Sequence, residues 1–169
     1  RAMFIQRVQL AIQREYPASY PEEKVLSDVL NNIDYRTADR TFPKDRYAWR
    51  PFQLAFMLLD IASVTDDNSE DRSLVDLIWF PTGGGKTEAY LGLTAMTIFY
   101  RRFRYPKENG GTTVIMRYTL RLLAAQQFTR ASTLICACEF IRKECESNKA
   151  KYKYDSLGTT PITIGLWIG

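Results

Sequence analysis

Three consecutive glycines followed by Lys-Thr, in "WFPTGGGKTEAY" at residues 79–90, constrain this chain more than any other feature. Glycine loses more backbone freedom on folding than any other residue and adds no side-chain contact to a core. A run of three is sustained only where the backbone itself must curl tightly or approach something closely. The flanks sharpen the point. "LVDLIWF" (74–80) is a short apolar run of β type, and after the loop apolar residues recur at helical spacing through Ala89, Leu93, Met96, Tyr100 and Phe103.

Apolar run, "PTGGGKT", then helix is the setting in which a glycine loop cradles phosphates. Side chains would block several backbone N–H groups from converging on a triphosphate, and glycines remove that obstacle. On this reading Pro81, Thr82, Gly83, Gly84 and Gly85 form the cradle, and the dipole of the helix starting near Lys86 adds to it. Lys86 reaches the β- and γ-phosphates, Thr87 holds Mg²⁺ through its hydroxyl, and Glu88 closes the segment. The expected cofactors are ATP and Mg²⁺. The general phosphate-loop pattern wants glycine where this chain has Phe80, so the match is to the variant P-T-G-x-G-K-[ST].

The rest of the chain supplies the frame. Residues 2–14 predict an amphipathic helix with Phe4, Val8, Ala11 and Glu15 on one face and Ile5 and Ile12 beside them. A short helix over 21–30 and an irregular connector over 31–49 follow. Residues 50–62 predict an apolar helix starting at Pro51, and 65–73 an acidic loop. "TTVIMRY" (112–118) and "PITIGLWIG" (161–169) are two further strand candidates. Residues 119–147 form one long helix or two, with Ala131, Leu134, Cys138, Ile141 and Cys145 on the core face. Strand and helix alternating from residue 74 predict an α/β chain with a mostly parallel sheet flanked by helices. The division expected is an N-terminal helical segment and connector, 1–48, and a nucleotide-binding domain, 49–169.

Composition bounds the alternatives. The chain has 169 residues, 46% of them hydrophobic, and 23 Lys+Arg against 19 Asp+Glu. A net charge of +4 permits a nucleic-acid partner without requiring one. Histidine is absent, which excludes imidazole catalysis and His-ligated metals within the chain. Three cysteines between 136 and 145 argue against a disulfide framework and for a reducing, cytoplasmic setting. Cys136 and Cys138, two apart, point to different helix faces, so buried free thiols are expected in place of a zinc site. No apolar run reaches membrane-spanning length.

"PTGGGKT" resembles motif I of superfamily 2 helicases and translocases. Two flanking segments resemble that group as well. Gln53 in "RPFQ" stands about where a glutamine hydrogen-bonds the adenine, with Arg50 beside it. Arg121, Leu123 and Gln126 fit the R-x-L-x-x-Q spacing of motif Ia, although Thr119-Leu120 replaces the usual Pro-Thr. The resemblance implies nucleic-acid contacts at Arg117, Arg121, Gln126 and Arg130. "WFPTGGGKTEAYLGL", "MRYTLRLLAAQQFTRAS", "ICACEFIR" and "GLWIG" together look like the helicase of bacterial DISARM anti-phage defence, over roughly 49–169. That implies a partial RecA-like domain, ATP-driven movement on DNA, a second defence-system protein as partner, and a longer parent chain. The Asp-Glu pair such motors need for hydrolysis does not occur here; Asp66-Asp67 and Glu22-Glu23 sit in loop and helix-start contexts. Nucleotide binding with negligible turnover by these residues alone is therefore expected. The alternatives are another P-loop NTPase and a non-hydrolysing nucleotide-binding scaffold.

Overall fold

A computed structural model describes residues 1–15, 48–81, 83–106, 110–119, 121–147 and 157–167. The expected helix at 21–30 and the connector's Tyr35, Phe42 and Tyr47 lie outside these residues, as do Thr82 and Leu120.

Among the described residues the regular structure is helical. It comprises α1 (Ala2–Glu15), α2 (Pro51–Leu59), α3 (Ile61–Thr65), a single 3-10 turn (Glu70–Ser73), α4 (Lys86–Arg104) and α5 (Arg121–Ser147). α4 is the central element, with α2 on one side and α1 and α5 on another. The main core is built where α1, α4 and α5 meet. It joins Ala2, Leu91, Ala95, Ile98, Ala131, Leu134, Ile135, Cys138 and Ile162, with Phe99, Met116 and Ile141 packed against it.

The parallel sheet does not form: no strand is present among the described residues. The runs 74–80, 112–118 and 161–167 are irregular, although their composition is β type. The reason is physical. A helix satisfies its N–H and C=O groups internally, whereas a strand exists only beside another strand. These three runs do not pair with one another; Ile162 and Met116 turn into the core, but most of their other large side chains face outward. Val75 is 95% exposed, Trp79 90% and Trp167 94%. The α/β, RecA-like reading of this chain is therefore corrected to a helical layer carrying irregular connections.

Three smaller corrections concern the helices. The helix expected over 50–62 breaks at Asp60, which ends α2 and begins α3. The expected α4 face was Ala89, Leu93, Met96, Tyr100 and Phe103. Of these Ala89 is buried, Leu93, Met96 and Tyr100 are partly buried and Phe103 is exposed; the fully buried face continues from Ala89 through Leu91, Ala95, Ile98 and Arg102. Arg102 belongs to it because its guanidinium finds carbonyls to bond. On α5, Ala131, Leu134 and Cys138 are buried as expected. Cys138 and Cys145 are buried and half-buried free thiols, while Cys136 is exposed. Burial pushes the Cys138 thiol up to about 12, which keeps it a thiol. No helix among the described residues is long and apolar enough to cross a membrane.

Candidate nucleotide-phosphate site

The loop between residues 80 and 86 is shaped by its glycines and anchored by α2. Gly84 N–H donates to Pro81 O at 3.1 Å, closing a turn. Gly83 and Gly85 have φ of +80° and +94°, the left-handed region that side chains avoid. Gly84 is needed for space: a Cβ there would sit 2.5 Å from the Phe80 ring. That ring stacks on Phe52 of α2 with centroids 3.9 Å apart.

α2 supplies two donors. Arg50 Nη1 donates to Gly84 O at 2.8 Å, and Gln53 Nε2 donates to Gly85 O at 2.8 Å. Gln53 Oε1 in turn accepts from Arg50 N–H at 2.9 Å, the returning half of a capping box at the start of α2. Gln53 is buried, and two of its four amide hydrogen-bonding positions are thereby used.

α4 begins at Lys86 with Gly85 as its N-cap, and no side chain caps it. The first-turn N–H groups of a helix have no partner within it, and the dipole makes that end positive. Lys86 Nζ donates to Phe80 O and, at 3.3 Å, to Pro81 O, so its ammonium folds back over the loop. Thr87 is half-buried in the first turn. These features fit a bound polyphosphate. A Cβ on Gly83 would meet nothing within 4 Å, the helix start is uncapped, and the Lys86 ammonium stands beside both.

Glu88 is tied elsewhere. Arg130 Nη2 of α5 bonds its Oε1, and Arg7 Nη1 of α1 stands 3.8 Å from the same oxygen. The pairing with residues 42 and 81 positions away has no sequence signal beyond an acidic residue in a first helical turn, and the sequence alone did not suggest it.

The nucleic-acid candidates are not gathered on one face. Arg117 is exposed on the irregular segment before α5, Arg121 opens α5, and Gln126 is exposed on it. Arg130 is engaged by Glu88.

No family model matches the sequence. Over 139 residues, however, the chain is 44% identical to the DISARM protein DrmA of Bacillus paralicheniformis, a match covering 79% of this chain and 12% of that protein. The relation is to a DISARM protein. The chain spans 12% of that relative's length, so the likeness concerns one stretch of a much larger molecule.

Proposed function

We propose that this chain supplies the nucleotide-phosphate loop of an ATP-dependent DNA helicase or translocase acting in DISARM-type anti-phage defence. The observation that carries the reading is the loop itself. Two left-handed glycines and an uncapped helix start are held in place by Arg50 and Gln53, which bond consecutive loop carbonyls. The 44% identity to a DISARM protein supports the defence setting.

When bound, Mg-ATP would supply the γ-phosphoryl group that is transferred to water, with ADP as the leaving group. The chain's own residues bind and orient it. The backbone N–H groups of Gly83, Gly85, Lys86 and Thr87 would donate to phosphate oxygens, Gly84 N–H being used within the turn, and the positive end of α4 favours their charge. Lys86 exchanges two carbonyl acceptors for the β- and γ-phosphates. That replaces neutral acceptors by charged ones and adds the direct attraction between ammonium and phosphate. Thr87 offers its hydroxyl to Mg²⁺. Arg50 and Gln53 keep the carbonyls of Gly84 and Gly85 turned away from the anion, and Gln53 presents its remaining amide groups to the base. DNA and a second defence-system protein are the partners in this reading.

The test is ATP hydrolysis by the full-length protein, with and without single- and double-stranded DNA, for wild type and Lys86→Ala. The expected result is turnover that rises with DNA and falls at least about a hundredfold in the variant, in line with removal of a charged transition-state contact. Turnover indifferent to DNA points to another P-loop NTPase. Nucleotide binding without turnover in wild type points to a scaffold.

A further inference from the structure

Glu88 is placed between two systems. Its Oε2 lies 3.5 Å from where a Cβ on Gly85 would be, so the carboxylate borders the loop. Its Oε1 carries Arg130 of α5 and faces Arg7 of α1. The Glu88 side chain is only 14% exposed, whereas those of Arg130 and Arg7 are 31% and 42% exposed. The carboxylate is thus fixed within the protein while both guanidiniums reach solvent.

We propose that Glu88 is a positioning residue that couples α5 to the phosphate loop, because its carboxylate and a phosphate of DNA compete for the same Arg130 guanidinium. The proposal rests on the reading of this loop as the nucleotide site of a DNA motor. A DNA phosphate that takes Arg130 leaves Glu88 with Arg7 alone. The restraint on the first turn of α4, which carries Lys86 and Thr87, then passes from α5 to α1. Nucleotide affinity changes with it. By reciprocity, nucleotide binding changes affinity for DNA by the same factor. A guanidinium suits the exchange because one planar fork serves carboxylate and phosphate equally well.

The experiment measures KM for ATP of the full-length protein without DNA and with a saturating oligonucleotide duplex. Wild type, Arg130→Gln, Arg130→Lys and Glu88→Gln are compared. In wild type, DNA shifts KM by about fivefold or more, the range of ordinary coupling between sites. Arg130→Gln and Glu88→Gln reduce the shift to less than about twofold, and Arg130→Lys keeps at least half of it. A merely structural pair would lower kcat or the melting temperature and leave the response of KM to DNA as it was, which overturns the proposal. Should Arg130→Gln not fold, Glu88→Gln, nearly isosteric and uncharged, carries the same comparison. Absence of ATP turnover in wild type overturns the loop reading and the coupling together. Turnover with a KM that ignores DNA overturns the coupling alone.

Discussion

The two ends of α4 are both held by arginine side chains bonded to backbone carbonyls, yet they are built for different purposes. At the C-terminal end, Arg102 is buried and donates to Leu157 O at 2.9 Å, Thr160 O at 2.7 Å and Pro161 O at 3.3 Å. Arg142 of α5 reinforces the same segment. It donates to Gly158 O at 3.0 Å while forking onto Glu139 at 2.7 Å and reaching Glu146 at 2.9 Å. Glu139 also accepts from Ile162 N–H at 2.9 Å. Arg101 also bonds Gly110 O and Thr112 O at 3.0 Å each, but at exposed positions, so the firm anchoring of this end rests on Arg102 and Arg142. At the N-terminal end the donors are Arg50, Gln53 and Lys86. The bonds made by Arg50 and Lys86 are exposed. Buried, multiply bonded cations fix a segment. Exposed ones can exchange acceptors, as a binding loop requires.

The sharpest way to break this contrast is Arg102→Ala. It strips one charged donor from three carbonyls in a buried place, and bonds to charged groups contribute about 1.5–3 kcal/mol. Denaturant unfolding of the purified protein should show a loss of about 3 kcal/mol, with ATP affinity of the folded protein unchanged. A loss below about 1 kcal/mol would mean that the C-terminal end is no more firmly anchored than the loop. The electrostatics of this end predict an acid response as well. The Arg142 fork, followed by the Ile162 N–H, holds the Glu139 carboxyl below its usual range against the opposing effect of burial. A depressed carboxyl contributes stability that is present above its unfolded value of 4.5 and is lost as pH falls through the lower folded value.

Gln53→Ala makes the complementary change at the other end. It removes the donor on Gly85 O and the acceptor for Arg50 N–H, both at part-buried positions. A cost of about 1 kcal/mol in stability is expected, alongside about a fivefold loss of affinity for a fluorescent ATP analogue. The contrast between the ends holds if this variant loses proportionately more binding than stability, and Arg102→Ala the reverse. Equal effects in both variants would remove it.

Which features were legible in the sequence follows from where each satisfies its backbone. α1, α4 and α5 were foreseeable because helical periodicity is local, and Ala131, Leu134 and Cys138 lie on the core face that it marks. The loop was legible because glycine at Gly83 and Gly85 announces its own geometry. The strand candidates misled because β-type composition in 74–80 says nothing about whether a neighbouring strand is there to pair with it. Arg102 lies on the buried face of α4 without any apolar signal, because the carbonyls of Leu157, Thr160 and Pro161 accept from its guanidinium. The break at Asp60 had no signal in an apolar run. The partners of Glu88 and Arg130, far apart in the chain, had none either.

Asp60 offers the smallest test of how α2 is held behind the loop. It is buried at the junction of α2 and α3, and its Oδ2 has no donor among the described residues. Asp76, from the run leading into the loop, faces it, and Asp71 and Arg72 of the 3-10 turn line the same small cleft. Burial, then the charge of Asp76, then a hydrogen bond with that carboxyl raise Asp60 to about 6. Such a bond needs a proton on one of the two carboxyls, since two carboxylates have no hydrogen to share. A raised carboxyl contributes stability that is fully present below its unfolded value of 3.8 and is lost as pH rises through about 6. At pH 7 that contribution is lost. Asp60→Asn supplies a permanent N–H donor to Asp76 without a proton to lose. Thermal melting from pH 4 to pH 7.5 should show the variant gaining about 1 kcal/mol over wild type at the upper end, with no gain at the lower end. If α2 transmits that gain to the loop through Arg50 and Gln53, ATP affinity at pH 7.5 rises with it. A gain in melting temperature without any in affinity would mean that the loop takes its geometry from α4 and not from α2.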